Sequence, residues 1–272
     1  MIIAHNFVKI KLFSNIFGNI SHMFDLIDEC SSDLTACGYK TEELGRYGVT
    51  ESSLVIDDTK TSEKIGFEKG RYFIYNAPLL SNLMPEHYEF LKDVISQRIR
   101  GLFKRHKIGK KEKVLLVGIG NPDIMADSFG VKAVQKVDIE PFRKHNRIFK
   151  LMPNIFANTG INAFDIVRLV VQSFDISLVI LIDSLATRNL ARLGVSIQFN
   201  DAGLTPGSAL NNFGVAINKS TINVPCFSIG VPMMISSKIF DEGTDLILTE
   251  KDAKEKVEFM SRLIADVLNG IL

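Results

Sequence analysis

Residues 113–130 read KVLLVGIGNPDIMADSFG. Val114 to Val117 form an unbroken apolar run, closed by Gly118 and followed by a second glycine, an Asn-Pro pair and two aspartates. A short run without alternation marks a strand covered on both faces, the usual state of strands in a parallel sheet. Leaving such a strand takes one or two turn residues. Gly118, Gly120, Asn121, Pro122, Asp123 and Asp127 together exceed that need. In an open α/β sheet the carboxyl ends of the strands are where ligands bind, so the surplus marks a candidate site.

The pattern repeats downstream. RIFKLM (147–152), LVILID (178–183), VSIQF (195–199) and VPCFSIGV (224–231) read as buried strands. FGVKAVQKV and AFDIVRLVVQSF, lying between them, have helical spacing, and a closing helix from about Ala253 to Leu272 puts Val257, Met260, Ile264, Val267 and Ile271 on one stripe. Strands alternating with helices predict an α/β fold, a three-layer sandwich with a largely parallel sheet, over residues 111–272.

Upstream the chain is more broken. LVID (54–57) and RYFIYN (71–76) are short β-like runs among Gly, Asp and Ser clusters, and Pro85 to Phe103 reads as a helix with Tyr88, Leu91, Ile95, Ile99 and Leu102 on one face. Residues 33–110 therefore form a small N-terminal α+β extension. The basic stretch KRHKIGKKEK (104–113) has no interleaved aromatics and reads as a cationic helix end leading into a solvated hinge. Residues 1–32 read as a leader or pro-segment. Lys9, Lys11, Asn15 and Asn19 interrupt every window long enough to span a membrane, and no signal-peptide cleavage pattern follows.

The totals narrow the function classes. A net charge of +1 gives no field that would draw nucleic acid or anionic lipid. Cys30, Cys37 and Cys226 are sparse, odd in number and without metal-type spacing, which fits a reducing, cytoplasmic compartment.

Asn121, Asp123 and Asp127 follow the first core strand, and Asn154, Asn158 and Thr159-Gly160 follow the second. LVILID ends in Asp183, and Asn200 and Asp201 follow VSIQF. All five histidines (His5, His22, His87, His106, His145) precede Arg147, so the later rim has none for a Ser-His-Asp triad. Gly118-Ile119-Gly120 lacks the third glycine of a dinucleotide loop, and Pro122 removes an amide from any phosphate cradle. Carboxylate chemistry remains, in which one of two neighbouring aspartates keeps its proton while the other acts as base. The competing structural reading makes Asp127 a cap for SFGVKAV, Asp183 a cap for SLATRNL, and Asp201 a turn residue before Gly203.

Four ordered stretches, TGINAFDIVRLVV, LVILIDSLATRNL, VSIQFNDAGLTPGSALNN and VPCFSIGVPMM, resemble the germination protease family of spore-forming bacteria. Asp127-Ser128-Phe129-Gly130 is similar to that family's Asp-Ala-Leu-Gly element, and SDLT (Ser32 to Thr35) to its Thr-Asp-Leu-Ala segment. The likeness covers roughly residues 33 to 236 and implies a phosphorylase/hydrolase-like fold, with 33–272 as a single peptidase domain. It implies an aspartic endopeptidase, made as an oligomeric zymogen, that cleaves small acid-soluble spore proteins without a cofactor. Carried over by motif, the catalytic pair falls on Asp127 and Asp183, with Asn121, Thr159 and Asp201 as candidates for positioning the peptide. Two readings stand beside it. One is a non-catalytic binding or regulatory relative. The other is a metal-dependent endopeptidase resembling the hydrogenase-maturation proteases, although Ser128 stands where their Glu would be; Asp127, Asp183 and Asp201 are the oxygen donors available for a hard cation.

Overall fold

The computed structural model describes residues 7–10, 25–30, 34–78, 85–139, 147–207, 214–236 and 247–272. Most of the expected leader, Ser32 of the SDLT stretch, residues 208–213 of the Pro-Gly-Ser loop, and His5, His22 and His145 lie outside the described residues. The N-terminal half carries β1 (Phe7–Ile10), β2 (Lys40–Glu43), β3 (Thr50–Ile56), α1 (Thr59–Ile65), β4 (Gly70–Asn76) and α2 (Pro85–Arg105). The core then runs β5 (Val114–Gly118), α3 (Phe129–Lys136), β6 (Ile148–Leu151), α4 (Phe156–Thr159), α5 (Ala163–Phe174) and β7 (Leu178–Thr187). It finishes with β8 (Ser196–Asn200), α6 (Lys219–Ile222), β9 (Cys226–Ser236), β10 (Ile247–Glu250) and α7 (Ala253–Ile271).

Among the described residues the strands make one sheet in the order β2-β3-β4-β8-β9-β7-β5-β6, with β10 also pairing β9 and β1 pairing β10. The parallel α/β unit expected from the sequence is its centre: β6, β5, β7 and β9 run parallel. Antiparallel β8 joins it to the β2-β3-β4 meander of the N-terminal extension, so the whole sheet is mixed.

Alternation along each strand divides the core between two faces. On one face Leu116, Ile180, Ile182, Phe199 and Ile229 pack under α2, α3 and α7. Burying Val257, Met260, Ile264 and Val267 of α7 there contributes about 1.5–3 kcal/mol each. The other face carries two separate apolar clusters. Leu115, Val117, Val179 and Leu181 lie under Val167 and Val171 of α5. Leu54, Ile56 and Ile74 lie under Ile27, Leu34 and Ile65. Helices thus cover both faces, and the second face has a seam between its clusters.

Two local endings explain themselves. Lys107 takes a left-handed φ of 57° just beyond α2, and the Ile108 amide returns to the Phe103 carbonyl at 2.8 Å. The first residues of the basic stretch are therefore a helix C-terminal motif, where cations oppose the helix dipole. β7 does not stop at Asp183 but continues through Thr187, since Asp183 to Thr187 find partners in β9 from Gly230 to Ile235. Among the described residues no helix is long and apolar enough to cross a membrane.

Candidate active site

The surplus turn chemistry after β5 builds a loop that could not exist with side chains at its glycines. Gly120 has φ 116°, and a Cβ there would lie 2.0 Å from the Asp127 carbonyl oxygen. A Cβ on Gly130 would lie 2.1 Å from the Ile182 carbonyl oxygen, so the first turn of α3 is pressed against β7 beside Asp183. Only a residue without a side chain permits either approach. The Asn121 amide donates to Asp127 Oδ2 at 2.7 Å, while Asn121 Oδ1 accepts from the Asp123 amide at 3.0 Å. Asn121 is buried, so the loop fixes Asp127 from both its backbone and its side-chain turn.

Neither aspartate caps a helix. Ser128 holds the N-cap position of α3 and makes no side-chain cap bond, while Asp127 turns back to Asn121. Asp183 lies inside β7, opposite Gly230, and its Oδ1 accepts the amide of its own neighbour Ser184 at 2.8 Å. Helix formers such as Leu185, Ala186 and Arg188 give SLATRNL a helical look, but pairing with β9 decides its conformation.

The two carboxyls have unequal electrostatics. Burial pushes the Asp127 carboxyl up to about 6, against the lowering effect of the Asn121 hydrogen bond. Burial raises Asp183 well above the usual carboxylate range, and the nearby charges of Asp127 and Asp25 push it further the same way.

Asp183 opens on a cavity of about 210 Å³ at the seam between the two apolar clusters. Its floor is a cross-strand row in which Gly230 pairs with Asp183 on one side and Gln198 on the other. Phe67 and Tyr72 line it from the N-terminal extension, and Leu204 and Asn218 from the core.

Asp25 also lines this cavity, and sequence reasoning missed it because it fell within the expected leader. Its Oδ2 accepts the Ala186 amide at 2.9 Å and its own amide donates to the Ala186 carbonyl at 3.2 Å. The other candidates are held elsewhere. Asp201 Oδ1 accepts the Arg71 amide at 2.6 Å and its Oδ2 lies 2.7 Å from His106 Nε2, tying β8 to β4 and the end of α2. Thr159 is exposed at the end of α4, its hydroxyl 3.1 Å from the carbonyls of Ile155 and Ile161. Among the described residues no group of three or more His, Cys, Asp and Glu side chains is arranged to hold a metal ion.

Comparison with known proteins bears on this site. A family model described as germination protease matches residues 26–269. Germination protease of Clostridium acetobutylicum is 28% identical over 224 residues, 78% of this chain and 68% of that protein. The Priestia megaterium protein is 28% identical over 78% of this chain and 60% of its own length, and that of Bacillus subtilis 29% over 71% and 56%. The chain thus spans between about half and two thirds of these relatives. Among solved structures, a NiFe hydrogenase maturation protease from Thermococcus kodakarensis matches at 20% identity and a TM-score of 0.38, covering 61% of this chain and 98% of that one.

Proposed function

The chain belongs to the germination protease family, and on that premise we propose that it is an endopeptidase in which Asp127 and Asp183 activate water against a peptide bond of small acid-soluble spore proteins. The observation that carries this reading is the placement of two carboxyls of unequal proton affinity at one end of the parallel core, neither used as a helix cap.

Asp127 is the general base. One of its oxygens is held by the Asn121 amide, and the other takes a proton from water as the water oxygen attacks the carbonyl carbon. Asp183 is the acid. Its proton passes to the carbonyl oxygen and then to the departing amine as the C–N bond breaks, and the carboxyls return to their starting state when the proton Asp127 took from water is passed on to Asp183. A carboxyl whose proton affinity is raised by burial well above the ordinary carboxylate range is suited to this donor role. Asn121 positions Asp127; Thr159 and Asp201 enter the proposal only as outlying contacts for the peptide, since their polar atoms already have partners. The family likeness extends the proposal to a cytoplasmic homo-oligomer made as a zymogen.

The test is a digestion time course on a small acid-soluble spore protein with wild type, Asp127→Asn and Asp183→Asn, each with and without chelator. Both variants are expected to lose cleavage by about 10²–10⁴-fold, with no effect of chelator. Loss on chelation would move the site to metal-dependent hydrolysis. An intact substrate with folded wild type would leave a binding or regulatory module.

A further inference from the structure

The cavity beside Asp183 has a second polar end that the cleavage scheme leaves unused. Its floor is made of cross-strand rows. The first holds Asp183, Gly230 and Gln198; two residues further back along the same strands the next holds Leu181, Ser228 and Asn200. Two residues of strand set these rows roughly 7 Å apart. In the first row the Gln198 amide is committed to the chain itself: its Oε1 accepts the Ile27 amide and its Nε2 donates to the Asp25 carbonyl, each at 2.9 Å.

The amides behind it are not. Asn200 Oδ1 accepts the Ala202 amide at 3.0 Å, where the chain leaves β8. Asn218 heads α6, and its Oδ1 accepts the Ser220 and Thr221 amides at 3.0 and 3.1 Å and the Ser220 hydroxyl at 2.7 Å. Each oxygen is pinned by backbone, which fixes the plane of the amide and leaves its Nδ2 without a partner among the described residues. The Ser228 hydroxyl has none there either. A tight loop brings Asn218 in: Gly203 has φ 86°, and a Cβ on it would lie 2.1 Å from the Ile217 carbonyl oxygen and 2.9 Å from Asn218 Cα. Leu204 and Ile217 lock the approach with amide-to-carbonyl bonds of 3.2 and 2.8 Å. Asn200, Asn218 and Ser228 are 4%, 7% and 6% exposed, yet all three line the cavity.

A buried donor without an acceptor is costly, and one met by a carbonyl oxygen in a low-dielectric space is strong. The occupant of this end must therefore bring acceptor oxygens. An extended peptide brings them at the matching interval, because the carbonyls of residues i and i+2 point the same way roughly 7 Å apart. With the scissile carbonyl at Asp183, the next carbonyl on that side falls on the row of Ser228 and Asn200. Its oxygen has two lone pairs, one for each Nδ2. Gly230, with no side chain, leaves room for a main chain to lie close to the sheet. We infer that Asn200 and Asn218 form a main-chain subsite, donating to the substrate carbonyl two residues from the scissile bond, with the Ser228 hydroxyl as a third donor. The inference rests on the proposed aspartate pair for the place of the scissile bond.

The experiment maps the bond that wild type cleaves in a small acid-soluble spore protein, then edits the backbone of a short peptide spanning it. The peptide bond two residues before or after the scissile one is replaced by an E-alkene, which removes C=O and N–H, or by an ester, which removes N–H alone. With wild type, one alkene peptide is expected to lose about 10-fold or more in kcat/KM, while its ester stays within about 3-fold of the parent. Asn200→Asp and Asn218→Asp keep the pinned oxygen and exchange only the donor. Each is expected to lower kcat/KM on the parent about 10-fold and to shrink the alkene penalty to within about 3-fold, a coupling that a merely structural role does not produce. If these variants fail to fold, Asn218→Ser, which still caps α6, carries the same cycle. An alkene penalty that is absent in wild type, or unchanged in the variants, overturns the inference. So does an Asn200 dependence that follows one substrate side chain rather than the bond. Cleavage lost in Asp127→Asn and Asp183→Asn with no alkene coupling sinks the subsite and leaves the aspartate pair; coupling in a protein that still cleaves after Asp127→Asn does the reverse.

Discussion

Asp183 and Gln198 stand in one row across the sheet with only Gly230 between them, so the Asp183 carboxyl and the amide that holds residues 25–27 face the same small space. The missing side chain at Gly230 is what leaves that space open. A Cβ there would come within 2.5 Å of Leu185 Cδ1 and Cγ. Gly230→Ala is therefore expected to drive Leu185 off its rotamer and into the cavity, costing about 1–3 kcal/mol by urea denaturation. The accompanying fall in kcat/KM is expected to be about 10-fold or more, because the displaced Leu185 narrows the approach to Asp183. Full activity in a folded Gly230→Ala protein would show that substrate does not use this cavity.

The inequality between the two carboxyls fixes the acid side of the pH–rate profile. Asp127 must be ionised to act as base, and burial places its titration at about 6. The rate is expected to fall about tenfold per unit as pH drops below that value. On the alkaline side the rate falls when Asp183 loses its proton, at a pH well above the ordinary carboxylate range. Steady-state kcat/KM on a spore-protein peptide, from pH 4 to 10, checks both limbs. A profile still flat at pH 5 would remove Asp127 from the base role.

The same shifts make a statement about folding. Both carboxyls have folded-state proton affinities raised above the unfolded value of 3.8. The folded protein then binds more protons than the unfolded chain once pH exceeds about 4, so their contribution to stability is greatest below that value and is lost as pH rises. For Asp127 the loss is complete above about 6; for Asp183 it continues to higher pH. Asp183→Asn cannot ionise and is expected to melt above wild type at pH 8, with the difference narrowing towards pH 4. Melting curves at fixed ionic strength read this directly. A variant less stable than wild type across the whole range would mean that the Asp183 carboxylate has a stabilising partner.

How far the site was legible depended on the distance over which each residue finds its partners. Val114–Val117, the glycine loop and Asp127 speak for themselves, because strand, turn and carboxylate lie within one short stretch and the loop's hydrogen bonds span six residues or fewer. The α5 and α7 stripes were equally plain, since helical periodicity is a local signal. Asp25 was not legible. Its bond to Ala186 spans 161 residues and that of its carbonyl to Gln198 spans 173, and neither leaves a trace in composition or spacing near residue 25. The reach of β7 past Asp183 was hidden for a related reason: nothing in SLATRNL announces a strand, and its conformation comes from β9. The split of the second face into two clusters, which creates the seam, is likewise a product of the sheet order.

Asp201 separates a structural role from a binding role. Its side chain is 5% exposed, with one oxygen on the Arg71 amide and the other beside His106. Replacing it with alanine leaves the Arg71 amide without its acceptor and strips His106 of a partner. The expected cost is about 1–3 kcal/mol of stability, the usual penalty for stranding a buried donor. Catalysis should change little, within about 3-fold in kcat/KM, because the carboxylate joins β4, β8 and the end of α2. Asp201→Asn keeps an acceptor for Arg71 and is expected to recover part of the lost stability. Chemical denaturation and kinetics on the two variants decide the matter together: a folded Asp201→Ala protein of normal stability whose KM rises by tenfold or more would make Asp201 a principal contact for the peptide rather than an outlying one.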